Sequence, residues 1–590
     1  MKKLNVFQAF LKIIPKFARV SPLMFVIWLL LSLAHGLSYG IIAPVTQYFL
    51  DKATGYAQHN TTLTVVILGL VVLTLAQIIK QALNGITNFT CRMYYCKTEG
   101  IFAVKLHEKM NKIAPICFED TSILDEMNKA IQGKNEAVWF TGFILIMFTF
   151  YIPYFVCIAV YLLKVKPLLV LSLLLVFVPV LLTHILRTKV FTKAEDKSAP
   201  VRRECDYYDS CITGREYFKE TRILGTFSYF RRLYEDSLSL LNKIRLRACV
   251  KSDITKLGME LLSLGGYIGI FLLLLNGLMS GQVGVGAFAA IFASIQQMFG
   301  LMNEWIGENF GAIANNFSRV QFFLRFMQMP ERGGKTAEIP DNADITINKV
   351  SFTYPGKEQK AIDTVTLTIK NGETVALVGE NGSGKSTLVR LLTGLYLPDD
   401  GNVLHGTADT KEIASQSLFK KISAVFQKYQ RYQMTLRENI GISNVNEIAD
   451  NCSLDNVCIQ AGINKNSASL TDGYDTMLSR EFNGVDLSGG QWQRTAIARG
   501  LFRTHNFILM DEPTAAIDPM EETRIYNRFA EIAKDKTAVI VTHRLGSVKL
   551  ADRILVMKQG RLAEQGTHQE LMGKNGEYSR LYKSQEKWYK

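Results

Sequence analysis

"TVALVGENGSGKSTLVRLL", Thr374 to Leu392, reads as a short apolar strand, a glycine-rich turn and the start of a helix. Its centre, Gly379–Thr387, has the spacing of a phosphate-binding loop, G-x-x-x-x-G-K-[ST]. Glycines at 379, 382 and 384 let the backbone turn tightly, so N–H groups from Asn381, Ser383 and the helix start can wrap an anion. Lys385 then supplies a point charge to the β- and γ-phosphates. The Ser386 hydroxyl, with Thr387 beside it, is placed to ligate Mg²⁺. A chance glycine turn rarely sits between a buried strand and a helix.

Further along, "FILMDEP" (Phe507–Pro513) is a second apolar strand, ending in two acids. Asp511 is expected to hold the metal, and Glu512, one residue on, to take a proton from an attacking water. Between the two strands lies "GVDLSGGQWQRTAIARG", Gly484 to Gly500, which opens a helix like a second anion site. Ser488 can cap that helix and Gln491, three residues later, completes a capping box. Gly489 and Gly490 let the backbone approach a phosphate. One domain therefore carries two phosphate-grade helix starts.

The set of motifs resembles the ATPase domain of ATP-binding cassette (ABC) transporters, whose signature is the "LSGGQ" at Leu487–Gln491. The resemblance runs from about Ile345 to Tyr582 and is carried residue by residue. Tyr354 in "SFTYPG" matches the aromatic that stacks on adenine. Gln427 in "ISAVFQK" matches the glutamine that senses Mg²⁺ and faces the membrane domain. Asp518 in "TAAID" matches the acid that crosses the dimer interface, and His543 in "IVTHRL" the histidine that contacts the γ-phosphate. The resemblance implies ATP and Mg²⁺ as cofactors. Glu512, His543, Gln427 and Lys385 take the catalytic roles, with Ser386, Gln427 and Asp511 at the metal. It also answers the question of the two helix starts. In this family Ser488, Gly489, Gly490 and Gln491 close over the γ-phosphate held by a partner chain.

The first half is different in kind. The whole chain of 590 residues is 48% hydrophobic and 20% charged, an ordinary balance that conceals segregation. A bilayer-spanning helix needs about 20 mostly apolar residues. Six segments qualify: Leu23–Leu50, Leu63–Leu83, Val138–Leu163, Leu168–Leu186, Leu257–Leu278 and Val285–Phe310. Two long polar connections, Asn84–Ala137 and Arg187–Ser252, read as helical continuations of the spans. The second is dense in Arg and Lys, so the positive-inside rule puts both connections and both termini in the cytosol of a multi-pass cell-membrane protein. "CFEDTSILDEMNKA" (Cys117–Ala130) and "GREYFKETRILG" (Gly214–Gly225) resemble the cytosolic coupling helices of ABC exporters. The expected organisation is an all-α transmembrane domain over residues 1–328, a polar linker over 329–344 and an α/β nucleotide-binding domain over 345–590.

The formal net charge of +14 raises nucleic acid as a partner, but no zinc-finger spacing, RNP-type aromatic motif or basic-region heptad accompanies it. Lys and Arg crowding cytosolic loops accounts for it better. The nine cysteines have no metal-ligand spacing and are expected to be free thiols. The N-terminus, broken by Lys12, Lys16 and Arg19, reads as an amphipathic helix on the inner leaflet.

Cargo is less legible. "EFNG" (Glu481–Gly484) stands where many exporters have Gly-Glu-Arg-Gly; with "LSGGQWQ" and "PTAAIDP" it resembles exporters of lantibiotic-type peptides. Some such exporters carry an N-terminal leader peptidase, which is not expected here. Polar residues within the spans are few: His35, Gln296, Gln297 and Asn303, with Glu260, Glu304 and Glu308 toward the cytosolic ends. Glu304 and Glu308, one helical turn apart, share a face and form either an acidic mouth for a cationic peptide or plain interfacial residues. A lipid or multidrug exporter, an importer built on the exporter fold, and an ATP-gated regulatory protein remain as alternatives. Because Glu512 and an intact signature coexist, a homodimer is expected over a heterodimer.

Overall fold

Leu63–Lys112 is a single helix of 50 residues, about 75 Å long at the usual rise, more than twice an apolar bilayer core. The computed structural model describes residues 5–306, 311–512, 536–542 and 547–589. It divides the chain into two units, one of Met1–Met110 with Asp125–Met329 and one of Asn111–Leu124 with Pro330–Lys590.

The first unit is helical: α1 (Val6–Ala18), α2 (Pro22–Ala57), α3 (Leu63–Lys112), α4 (Thr121–Ile146), α5 (Ile152–Val165), α6 (Leu168–Thr213), α7 (Phe218–Ile223), α8 (Phe227–Met279), α9 (Val285–Asn303) and α10 (Gly311–Met327). α1 starts at a capping box between Asn5 and Gln8 and buries Ala9, Ile13 and Phe17, spaced at four residues on one face. Phe17 lies edge-on to Tyr94 of α3, whose hydroxyl donates to the Phe17 carbonyl at 2.5 Å. Among the described residues, five helical stretches are long and apolar enough to cross a membrane: Pro22–Ala57, Leu63–Lys112, Thr121–Val165, Phe227–Met279 and Val285–Ile306. The expected span Leu168–Leu186 forms the start of α6; the side chains at 172–177 lie outside the described residues.

α4 and α5 are joined by a π-helical turn at Met147–Tyr151, a wider winding that admits one extra residue. It is accommodated by glycine on the facing helix. A Cβ at Gly36 of α2 would stand 2.5 Å from the Phe150 carbonyl oxygen, and one at Gly40 would stand 2.4 Å from the Cys157 Cβ. Ser32 and Thr149 hydroxyls hydrogen-bond across the same contact at 2.8 Å. The turn also presents Tyr151 to Trp305, stacked at 5.9 Å. The long helices α6 and α8 pack along one another, with Arg187 Nε donating to Ser252 Oγ at 3.0 Å.

The two segments that resemble coupling helices each hold a short helical turn. Cys117–Ala130 is not one helix: a 3-10 turn, Pro115–Glu119, gives way at Asp120 to α4. Asp120 adopts an extended backbone, and its carboxylate accepts from Ser122 N at 2.8 Å and Ser122 Oγ at 2.7 Å. That is a helix start, which stops the turn and begins α4. In Gly214–Gly225 the helix is only α7, six residues long; Gly214 ends α6 and Gly225, at φ +64°, ends α7.

In the second unit, four strands form an antiparallel sheet in the order β2-β1-β4-β5, from β1 (Ile345–Thr353), β2 (Lys360–Ile369), β4 (Asp400–His405) and β5 (Ala408–Asp409). Six more, β3 (Thr374–Gly379), β6 (Ile422–Val425), β7 (Phe507–Asp511), β8 (Thr537–Val541), β9 (Arg553–Lys558) and β10 (Arg561–Gly566), form a second sheet. Its order is β10-β9-β3-β8-β7-β6, parallel except for β10. Every residue of β3, β7 and β8 is buried, as parallel strands covered on both faces require. The crevice at the carboxyl ends of such strands is where α/β sheets bind ligands. Here β3 and β7, separated by β8, both point their ends into it. A second core, built around Leu454, Trp492, Ile497 and Phe502, holds the helix Gly489–Phe502. The polar stretch after Met329 is partly pinned: Lys335 N donates to the Glu412 carbonyl at 2.7 Å and its own carbonyl accepts from Ala414 N at 3.0 Å.

Candidate functional site

β3 ends at Gly379, and the chain turns through Gly382 and Gly384, at φ +78° and +101°, into the helix Lys385–Leu392. A Cβ at Gly384 would meet the Ala361 carbonyl oxygen at 2.7 Å, whereas one at Gly382 would meet nothing. The first glycine is needed for a close backbone approach and the second for its left-handed conformation. Asn381 and Ser386 are exposed, and Thr387 is buried. Lys385 is buried and folded back over the loop, its Nζ donating to the carbonyls of Gly379 and Glu380 at 2.9 Å each. Burial pulls its pKa down, opposed by the charges of Glu512 and Asp511. Ser383 Oγ is buried without any hydrogen-bond partner. A glycine turn with an orphaned buried hydroxyl and a buried cation at a helix start fits an anionic phosphate chain.

Asp511 closes β7 and is buried; burial, then the charge of Glu512, raises its pKa, offset by Arg390, Lys385 and a hydrogen bond from Ser386. The Ser386 hydroxyl and the Asp511 carboxylate are thus together, two oxygens of the hard-donor type that suits Mg²⁺. Glu512 leaves the strand at φ +49°, an unusual conformation for a residue with a side chain, and is fixed by its N–H donating to the Val541 carbonyl at 3.0 Å. Gln427, exposed two residues beyond β6, donates from Nε2 to Glu512 Oε2 at 2.6 Å. Lys385, Ser386, Asp511, Glu512 and Gln427 therefore converge on one place. Tyr354 lies beside them, half-buried, its hydroxyl 3.1 Å from Thr387 Oγ1.

Among the described residues, Ser488 and Gln491 bond to one another, and Gln491 to Ser469. Ser488 caps its helix as expected, accepting from Gln491 N at 3.3 Å while Gln491 Oε1 accepts from Ser488 N at 2.8 Å. Gln491 Nε2 donates to Ser469 Oγ at 3.1 Å. Ser488 and Gly489 are exposed and Gly490 is half-buried, so the helix start faces outward. Before it, Gly484 fits under the Met477 carbonyl, where a Cβ would come within 2.0 Å, and Glu481 accepts from Gln433 Nε2 at 3.0 Å. Asp518 and His543, and Glu308 in the first unit, lie outside the described residues.

Four participants were not singled out from the sequence. Tyr429, two residues after Gln427, donates from its hydroxyl to the Gly489 carbonyl at 2.9 Å, so one short loop touches both Glu512 and the signature helix. Arg390, Tyr396 and Glu119 gather behind Tyr354. An aromatic close after the loop glutamine could have flagged Tyr429; nothing in the local spacing joins Glu119 to the loop.

Residues 362–515 match the family model described as ABC transporter. The subtilin transport ATP-binding protein SpaT of Bacillus subtilis is 31% identical over 382 residues, which is 64% of this chain and 62% of that protein. The ATP-dependent lipid A-core flippase of Haemophilus ducreyi is 31% identical over 352 residues, 57% of this chain and 60% of that protein. The aligned region thus spans about three fifths of each relative. A solved bacterial Atm1-family ABC exporter with ATP bound superposes with a TM-score of 0.77, covering 95% of this chain and 98% of that one at 21% identity. At that identity the likeness shows the fold.

Proposed function

We propose that this chain, whose residues 362–515 match the ABC transporter family model and whose fold is that of a solved ABC exporter, hydrolyses ATP to export a substrate across the cell membrane. The observation that carries the hydrolytic reading is the convergence of Lys385, Asp511 and Glu512, with Gln427 Nε2 holding Glu512 Oε2 at 2.6 Å. Lys385 and the loop N–H groups bind the phosphates, and Tyr354 holds the adenine ring. Ser386 and Asp511, with Gln427 in attendance, hold Mg²⁺, which when bound neutralises charge on the phosphates. Glu512 takes the proton from the attacking water, oriented by the Gln427 amide. An ammonium has three N–H donors, so Lys385 can meet a phosphate oxygen while keeping both carbonyl bonds.

The outward-facing helix start at Ser488 supports action in trans. The exposed helix start at Ser488 and Gly489 would complete the phosphate site of a second copy, giving a homodimer with two equivalent sites. Both termini are assigned to the cytosol on the charge of the connections. For cargo we favour a peptide of the lantibiotic type, supported by the similarity to the subtilin transport protein. The equal identity to the lipid A-core flippase keeps a lipid as the second reading. The deciding experiment uses protein in nanodiscs and compares stimulation of ATP hydrolysis by cationic peptides and by lipids. Stimulation by peptide at low concentration supports the first reading, and stimulation by lipid alone replaces it. An absence of MgATP hydrolysis in pure, folded protein would remove both.

A further inference from the structure

Three chain segments meet inside the second unit around the Arg390 guanidinium. Its Nη1 lies 3.0 Å from the Tyr354 hydroxyl, 3.2 Å from the Tyr396 hydroxyl and 3.4 Å from Glu119 Oε1. The Tyr396 hydroxyl also donates to Glu119 Oε1, and the Tyr354 hydroxyl sits 3.1 Å from Thr387 Oγ1. The guanidinium is 5.2 Å from the centre of the Tyr396 ring, which stacks on Phe352 at 5.6 Å; Tyr354 is edge-on to both rings. Ile116, three residues before Glu119, packs on the same core.

The proton inventory fixes the direction of these bonds. A guanidinium only donates and a carboxylate only accepts. Both phenols therefore accept from Arg390. Tyr396 passes its own proton to Glu119; in the Tyr354–Thr387 bond alone either hydroxyl can donate. The result is a branched chain with Arg390 at its root, one branch ending in the phosphate loop and the other at Glu119. Glu119 belongs to Asn111–Leu124, the stretch between the long helices α3 and α4 that groups with the second unit. All three contacts are made by the one nitrogen Nη1, whose two N–H groups go to the phenols at 3.0 and 3.2 Å while Glu119 Oε1 at 3.4 Å completes an ion pair.

We propose that Arg390 is a positioning residue that ties Tyr354 and Thr387 to Glu119, so that an adenine nucleotide in the site and the docking of segment 111–124 strengthen one another. The proposal rests on the nucleotide-site reading above. Any move of the Tyr354 ring that accompanies base binding changes its bond to Arg390, and Arg390 in turn holds Glu119 through charge-assisted contacts. Coupling of this kind is reciprocal: if the nucleotide tightens the segment, loosening the segment must weaken the nucleotide by the same factor.

The test uses the full chain in nanodiscs with MgADP as the probe. Two quantities are read, the ADP dissociation constant and amide hydrogen exchange of residues 111–124 with and without ADP. In the wild type, ADP should slow exchange in the segment. Glu119→Ala and Arg390→Met should each weaken ADP by roughly fivefold, the lower range of such couplings, and Arg390→Lys, which keeps a charge and donors, should weaken it less. The double variant Glu119→Ala/Arg390→Met should be no weaker than either alone, and Glu119→Arg/Arg390→Glu should recover part of the loss. Arg390→Lys keeps the charge and guards against a folding failure in Arg390→Met. Unaltered ADP affinity in Glu119→Ala, with exchange of the segment indifferent to ADP, overturns the tie and leaves the nucleotide site standing. Losses that simply add in the double variant overturn it as well. A wild type that binds no ADP fails the nucleotide-site reading itself, a result distinct from the other two.

Discussion

Gln427 Nε2 donates to Glu512 Oε2 across 2.6 Å, joining the loop after β6 to the residue that leaves β7. The bond fixes one carboxylate oxygen and so orients the carboxylate. It also gives Gln427 a role separable from metal sensing. Gln427→Ala should lower kcat about 10- to 100-fold, the range for partners that orient a reacting group, with a smaller change in ATP affinity. Steady-state turnover at saturating MgATP measures this; an unchanged kcat would dismiss the orienting role.

Glu512→Gln tests the base itself. The amide occupies the same volume and can still bond to Gln427, so the geometry survives while the proton acceptor is lost. ATP binding should persist and hydrolysis should fall at least about a hundredfold. Turnover near that of the wild type would take the assignment away from Glu512.

In the helical unit, Gly36→Ala pushes a methyl into the Phe150 backbone carbonyl, 2.5 Å away, where no side-chain rotation can relieve it. The expected cost is about 1–3 kcal/mol, the usual range for overpacking. It is read as a lower unfolding temperature in detergent, with the ATPase unit's own transition unmoved. A variant as stable as the wild type would contradict the close approach of α2 to the π-helical turn.

The acidic-mouth idea is narrowed by the structure. Glu260 pairs with Lys256 one turn away at 3.6 Å, so its charge is already answered on its own helix. Replacing Glu260, Glu304 and Glu308 together by Gln should raise the cationic-peptide concentration needed for half-maximal stimulation. The effect should shrink at high salt, since exposed charges are screened. Glu260→Gln alone should change little. Equal curves for the triple variant and the wild type at low salt would return all three residues to an interfacial role.

The phosphate loop, the strand-end acids and the signature were legible in the sequence because each is a local device. Its chemistry depends on residues a few positions apart, so spacing alone encodes it. The long apolar helices were legible for a similar reason: length and composition carry the signal. Contacts between distant segments left no such trace. Glu119 and Arg390 are 271 positions apart, and no periodicity links them. Within Cys117–Ala130, Asp120 captures the Ser122 N–H and divides the stretch into a 3-10 turn and a new helix, a break that the motif resemblance did not mark. The π-helical turn was equally hidden. It lies against Gly36 of another helix, with Gly40 against α5 beyond it, and in isolation both read as ordinary small residues of a membrane span.

The central claim is that the exposed signature at Ser488 serves the ATP of a second copy, and a mixed dimer tests it most directly. Lys385→Ala removes a phosphate contact, and Ser488→Arg puts a bulky cation at the helix start that must approach the γ-phosphate. Each homodimer should be inactive. In a purified dimer of one chain of each kind, one site pairs the two lesions and the other pairs an intact loop with an intact signature. The measurement is the ATPase rate of that mixed dimer, with crosslinking between positions 385 and 488 of opposite chains as its control. The account predicts recovered hydrolysis, up to half the wild-type rate, and the inter-chain crosslink. No recovery, together with no crosslink between chains, would contradict it.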